Sequence, residues 1–234
     1  MADFDGRIVV VTGASSGIGR ATAAHFASRG ALVALFARSA DTLAAIVRGH
    51  EERMLAVAGD VSEPGAIERL FGLVEERFGD CDVLVNNAGM IDPKPLLETT
   101  PDAWDRMFAV NVRGTFLASR RALPAMLARR SGAIVNVASI SGVPGPEKFP
   151  GFASYNASKA AVIAFTESLA VEVGGQGVRV NCVSPGSVDT PMWARASGGA
   201  PADMTADEVA ETILFLAADR SRAINGQNVH VYGV

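Results

Sequence analysis

The chain has 234 residues, 49% of them hydrophobic and 20% charged, with a formal net charge of -4. That composition excludes a disordered or fibrous chain, and the acidic balance excludes the basic footprint of a nucleic-acid binder. No apolar run approaches the roughly 18 residues of a membrane span, and "MADFDGRIVVV" lacks the pattern of a signal peptide, so the expected setting is soluble and cytoplasmic.

In chain order, residues 7–11 read as a buried strand, 17–30 as a helix ended by Gly30, and 31–37 as a second strand. Residues 41–49 are helical in pattern, and 53–59 make a third strand. The stretch 64–79 opens on proline and closes on glycine, as helices do, and 82–87 is a fourth strand. A long helical region runs from Asp102 to Arg130, which Pro124 is expected to kink or divide. Strand 133–139, helix 153–174, strand 178–184, a loop rich in glycine and proline, helix 206–217 and a last strand within 227–233 complete the chain. The strands are continuously apolar, as burial on both faces requires. Their alternation with helices predicts an α/β domain spanning 1–234: a doubly wound, mostly parallel seven-stranded sheet with helices on both faces.

"TGASSGIG" (12–19) joins the first strand to the first helix. Gly13 permits a tight turn, while Gly17 and Gly19 let the backbone approach a pyrophosphate at the helix N-terminus. Gly13, Ser15, Ser16, Gly17, Ile18 and Gly19 are therefore expected dinucleotide contacts. About 20 residues further on, an acid would hold ribose hydroxyls and favour NAD. Ala37 stands there instead, followed by Arg38, which suits a 2′-phosphate. NADP(H) is thus favoured and NAD(H) remains possible. Ser39 is placed to cap the following helix, bind the phosphate, or both. Asp41, the nearest acid, suits the first turn of that helix.

Tyr155 and Lys159 in "YNASK" stand at i and i+4, on one face of a helix. A free phenol titrates near pH 10; a neighbouring ammonium, joined by a cationic nicotinamide ring, is expected to lower that value into general acid/base range. Cys81 and Cys182 form no metal-ligand spacing and read as reduced, half-buried small hydrophobes. His25, His50 and His230 fit no catalytic role.

"TGASSGIG" (12–19), "GDV" (59–61), "NNAG" (86–89), Asn111, "NVASISG" (136–142), "YNASK" (155–159) and "SPG" (184–186), in this order over nearly the whole chain, resemble the short-chain dehydrogenase/reductase family, in its compact NAD(P)-dependent form. The resemblance implies a Rossmann-type fold and hydride transfer between a nicotinamide and a carbonyl or secondary alcohol. It gives Tyr155 the proton transfer, Ser139 a hydrogen bond to the substrate oxygen, and Lys159 a bond to the nicotinamide ribose. Asn111 would hold a water linking Lys159 to solvent. It further implies that Asp60 and Val61 touch adenine, that Asn87, Ala88 and Gly89 support the cofactor, and that Pro185, Gly186, Val188 and Thr190 contact its nicotinamide end. A homotetramer or homodimer is also implied.

Ser141, two residues after Ser139 and on the same side if the chain is extended, is an expected pocket residue. The span from Ser139 to Tyr155 is slightly long for the family, and its "GVPGPEKFPGFAS" is expected to shape the substrate mouth. Residues 190–205 occupy the position of a substrate loop and read as a mobile lid, in which Met192 and Trp193 either pack on substrate or, for Trp193, anchor the loop. The ending "HVYGV" departs from the family's Asp-Gly-Gly and leaves the C-terminus without an expected role. Two further readings are an acyl-carrier 3-oxoacyl reductase, for which "ARR" (128–130) is the local basic hint, and a non-catalytic dinucleotide sensor, which the complete set Asn111, Ser139, Tyr155 and Lys159 disfavours.

Overall fold

The computed structural model describes residues 3–145 and 148–233. Its strands are β1 (Ile8–Thr12), β2 (Leu32–Ala37), β3 (Met54–Ala58), β4 (Val83–Asn86), β5 (Gly132–Val137), β6 (Val178–Pro185) and β7 (Asn228–Val231). They form one sheet in the order β3-β2-β1-β4-β5-β6-β7. Every neighbouring pair is parallel, with Val10 opposite Ala34 on one side and Leu84 on the other. Parallel strands need long crossovers, and the helices supply them.

Those helices are α1 (Gly17–Ser28), α2 (Ala40–Val47), α3 (Pro64–Arg77), α4 (Pro101–Phe108), α5 (Gly114–Arg129), α6 (Ala153–Glu172), α7 (Pro191–Ala196) and α8 (Ala206–Ala217). Alternate strand residues feed two cores. Val9, Val11 and Leu35 pack with Phe26 of α1 and Ile213 of α8 on one face; Val10 and Leu84 pack with Leu70 and Phe71 of α3 and Met126 of α5 on the other. Each such side chain, fully buried, contributes about 1.5–3 kcal/mol. Thr205 and Glu208 close a reciprocal capping box that starts α8. Among the described residues no helix is long and apolar enough to cross a membrane.

Two local expectations are corrected. Pro124 does not divide the long helical region, for it lies inside an unbroken α5. The proline forfeits one backbone donor, while Ala122 and Met126 on either side are buried and keep the turn packed. The division falls earlier, at a π turn over Ala109–Arg113 between α4 and α5. The two cysteines are fully buried and free, where half-burial was expected.

Parallel strands put all their carboxyl ends on one edge of the sheet. The order reverses direction between β1 and β4, so the loops after these strands diverge and leave a crevice there. Residues 13–19, 87–89, 139 and 186–190, which follow β1, β4, β5 and β6, all emerge on this edge.

Candidate active site

The glycine loop is locked from inside. Gly13 and Gly17 have φ of 67° and 50°, which disfavours any side chain. A Cβ on Gly13 would stand 2.8 Å from both the Ala88 Cα and the Asn87 Nδ2. Gly19, expected to admit a ligand, faces inward: a Cβ there would strike Asn87 and the Gly13 carbonyl. Asn87 Nδ2 donates to the carbonyls of Thr12 (2.9 Å) and Gly13 (3.2 Å), and the Thr12 hydroxyl accepts from the Asn87 and Ala88 amides, each at 3.1 Å. Thr12, which sequence reasoning passed over, is the hub of this lock; its place at the end of β1, just before the glycines, was the available signal. Ser16 precedes α1 and its side chain makes no capping hydrogen bond, and no acid occupies the first turn, so the first amides of α1 stay open to an anion. On the far side of the loop, a Cβ on Gly17 would lie 2.9 Å from the Thr190 methyl, which brings the segment after β6 against the glycine loop.

Arg38 and Ser39 are exposed at the end of β2. Ser39 takes the N-cap place of α2 by its backbone, but its hydroxyl bonds Thr42 Oγ1 at 2.7 Å and caps nothing. Asp41 lies in the first turn of α2, as expected. Asp60 Oδ1 accepts from the Ser62 amide (2.9 Å) and hydroxyl (2.7 Å). Partial burial pushes its carboxyl up, yet those two bonds, with the charges of Arg38 and Arg106, hold it below the ordinary value. Val61 is buried against Gly114 at the head of α5.

Tyr155 and Lys159 lie on α6, both buried, with the Lys159 Nζ 5.8 Å from the Tyr155 ring centroid. Lys159 Nζ donates to the Val137 carbonyl at 2.8 Å. Burial drives its pKa from 10.5 down to about 8, against a small opposing pull from Cys182. The expected lowering of the Tyr155 phenol does not occur in the unliganded chain. Burial raises it, and a hydrogen bond with Ser139 offsets only part of that rise. Desolvation penalises the phenolate, and it outweighs the one hydrogen bond that favours it.

Ser139, two residues past the end of β5, caps a 3₁₀ turn over Ile140–Gly142, its hydroxyl accepting from the Ser141 amide at 3.2 Å. The chain is therefore not extended from Ser139 to Ser141, and the same-side argument for Ser141 fails. Asn111 is buried in the π turn rather than in a regular helix. Its amide donates to the Met90 carbonyl (3.0 Å) and the Ser158 hydroxyl (2.9 Å), and its Oδ1 accepts from the Met90 amide at 2.8 Å. The Ser158 hydroxyl in turn donates to the Tyr155 carbonyl at 2.8 Å, tying α6 to the π turn. Gly89 sits between the two groups: a Cβ there would be 3.3 Å from Lys159 Nζ and 3.5 Å from Asn111 Oδ1.

Pro185 ends β6, and the Gly186 amide bonds the Val231 carbonyl at 2.9 Å. Val188 bridges Met204, and Ser187 bonds the Asp203 carboxylate at 2.6 Å, so the segment 190–205 is clamped at its base. It holds the short helix α7, started by Pro191 with Thr190 as its cap, both readable signals that the loop reading missed. Met192 and Trp193 are half-buried on α7. The Trp193 indole N–H donates to the Ala200 (2.9 Å) and Pro201 (3.3 Å) carbonyls, which favours the anchor over the substrate contact. The C-terminal residues gain a role: the Tyr232 ring packs beside Gly186. His25 bonds Asp207 at 2.7 Å and Glu211 at 2.8 Å on the surface, away from this edge. Arg129 pairs with Asp80, and Arg130 donates to the Gly175 carbonyl, at the opposite edge of the sheet, so the basic hint for an acyl carrier is already engaged.

A sequence model described as short chain dehydrogenase matches residues 7–199. The chain is 40% identical to the 2-(R)-hydroxypropyl-CoM dehydrogenase of Xanthobacter autotrophicus, covering 94% of each chain. It is 41% identical to the cis-4-hydroxycyclohexanecarboxylate dehydrogenase of Sinomonas cyclohexanicum, covering 98% of this chain and 96% of that one. The crystal structure of levodione reductase superposes with a TM-score of 0.91 at 30% identity, covering 98% of this chain and 97% of that one.

Proposed function

Because the chain belongs to the short-chain dehydrogenase family, an oxidoreductase family acting on alcohols and carbonyls with NAD(P)(H), we propose that it is an NADP(H)-preferring carbonyl reductase or secondary-alcohol dehydrogenase with Tyr155 as general acid and base. The observation that carries this reading is the buried Lys159 ammonium, held under the Tyr155 ring and facing Asn111 across Gly89. Packing alone gives no reason to keep a cation there, since burial opposes its charge.

The chain's own residues fit a dinucleotide. The open amides at the start of α1, with Ser15, Ser16 and Ile18, would take the pyrophosphate. Asp60 and Val61 would flank adenine, and Asn87, Ala88 and Gly89 would support the middle of the molecule. Pro185, Gly186, Val188 and Thr190 would border the nicotinamide, and Lys159 would bond its ribose. Arg38 and Ser39, exposed beyond β2 where no acid stands, support a 2′-phosphate and hence NADP(H). When bound, the nicotinamide supplies the hydride.

In reduction the Tyr155 hydroxyl gives its proton to the carbonyl oxygen while Ser139 donates a second hydrogen bond to it. Charge developing on that oxygen thus meets two preorganised donors, each worth about 3–4 kcal/mol in comparable sites. Lys159 stabilises the phenolate left behind, an attraction strengthened by the low dielectric around it. A water held at Asn111 reconnects Lys159 with solvent and restores the proton. In oxidation each transfer reverses. Met192 borders the substrate. The working form is a homo-oligomer, tetramer or dimer, for which exposed Phe116 on α5 and Val171 on α6 offer apolar surface.

Tyr155→Phe tests the proposal. The variant should bind NADPH as the parent does, read by cofactor fluorescence, and lose turnover by about 10²–10⁴-fold, the usual share of general acid catalysis. Reduction of an activated ketone at the parent rate would end it.

A further inference from the structure

We propose that Phe152 and Phe149 form an aromatic wall of the substrate pocket and select carbonyl and alcohol substrates that carry a ring next to the reacting carbon. The proposal deepens the reading above and rests on Tyr155 as the proton donor. Phe152 stands three residues before Tyr155, at the N-terminal boundary of α6, where that spacing sets the two side chains on one face. Its ring meets the Tyr155 ring edge-on, with centroids 6.2 Å apart and planes at 88°. The Phe149 ring follows at 5.8 Å and 56°. Exposure climbs along this run, from 8% at Tyr155 through the half-buried Phe152 to 52% at Phe149. Three rings therefore lead in contact from the reacting phenol to solvent.

The run is held in place. The segment containing it returns from Ser139 to Tyr155, so it borders both groups that would touch the substrate oxygen. Gly151, at φ 82°, accepts from the Lys94 amide at 3.0 Å, and Lys148 Nζ donates to the Ser141 (2.8 Å) and Val143 (2.6 Å) carbonyls. A substrate whose oxygen bonds the phenol must extend its substituents along some wall of the crevice. This wall offers ring faces and edges, and offset or edge-on ring contacts add about 0.5–1.5 kcal/mol each beyond simple burial. One ring on the substrate reaches Phe152; a second, in line with it, reaches Phe149. A short acyclic substrate touches neither.

The test compares kcat/KM for butanone, acetophenone and 4-acetylbiphenyl with the full chain and NADPH. The parent should prefer them in rising order. Phe152→Ala should lower the acetophenone-to-butanone ratio about tenfold, and Phe149→Ala the acetylbiphenyl-to-acetophenone ratio by about the same, with Phe152→Tyr restoring the parent ratio. A parent that reduces butanone as well as the aryl ketones, or ratios that Phe152→Ala leaves unchanged, overturns the wall and leaves the Tyr155 chemistry standing. A parent that reduces none of the three overturns the reading of the site itself, and the wall with it. A Phe149→Ala variant whose oligomeric mass changes while its selectivity does not makes Phe149 a subunit contact instead and removes it from the wall.

Discussion

Replacing Lys159 by methionine should stabilise the unliganded protein while silencing it. Methionine keeps the length of the stem and removes the ammonium from a site that resists it. Burial lowers the Lys159 pKa from 10.5 to about 8. At about 1.4 kcal/mol per pH unit, the charged form at neutral pH carries a penalty of roughly 3 kcal/mol. The lost hydrogen bond from the ammonium to the Val137 carbonyl returns about 1.5 kcal/mol. A net gain of about 1.5 kcal/mol corresponds to a rise in Tm of roughly 3–6 °C for a chain of this size. The folded chain holds this proton less readily than the unfolded chain does. Parent stability from this group therefore rises with pH between about 8 and 10.5, and the variant lacks that rise. The gap should be full below pH 8 and should close toward 10.5, as read by scanning calorimetry of both proteins without cofactor. A variant less stable than its parent at neutral pH, or a gap that ignores pH, would refute the reasoning.

Arg38→Ala should raise KM for NADPH by roughly tenfold or more while leaving KM for NADH near the parent value, since a charge-assisted bond is worth about 1.5–3 kcal/mol; equal effects on both would remove Arg38 from the phosphate site. Gly19→Ala should cost about 1–3 kcal/mol in denaturant unfolding, because its methyl strikes the Gly13 carbonyl and Asn87, and unchanged stability would count against the lock. In a Tyr232→Phe background Tyr155 is the one tyrosine left. Its ultraviolet phenolate signal should appear only above pH 10 without cofactor, whereas a midpoint near neutrality would show that Lys159 outweighs burial.

The sheet was legible because its strands are buried on both faces, so β1 and β2 read as unbroken apolar runs with nothing to confuse them with an amphipathic helix. The glycine loop was legible too, since two of its glycines need positive φ. What escaped were features set by packing. Nothing in "AVNVRG" marks a π turn, and Pro124 looked like a breaker because the sequence does not reveal that its neighbours are buried. Spacing put Tyr155 and Lys159 together, but it carries no desolvation energy, and desolvation decides both pKa shifts. Ser158 and Phe152 sit within or beside "YNASK", yet only the folded chain reveals that one ties the helix to Asn111 and the other meets the phenol edge-on.

The Asn87 amide that grips Thr12 and Gly13 also bears on kinetics. A phosphate cradle assembled before its guest arrives leaves few torsions to freeze at docking, so little affinity is spent on ordering the backbone. Capture at that end should run by simple collision, with adaptation confined to the outer rim around α7. Drift in that rim could then retune which alcohol is accepted without loosening the grip on the hydride carrier.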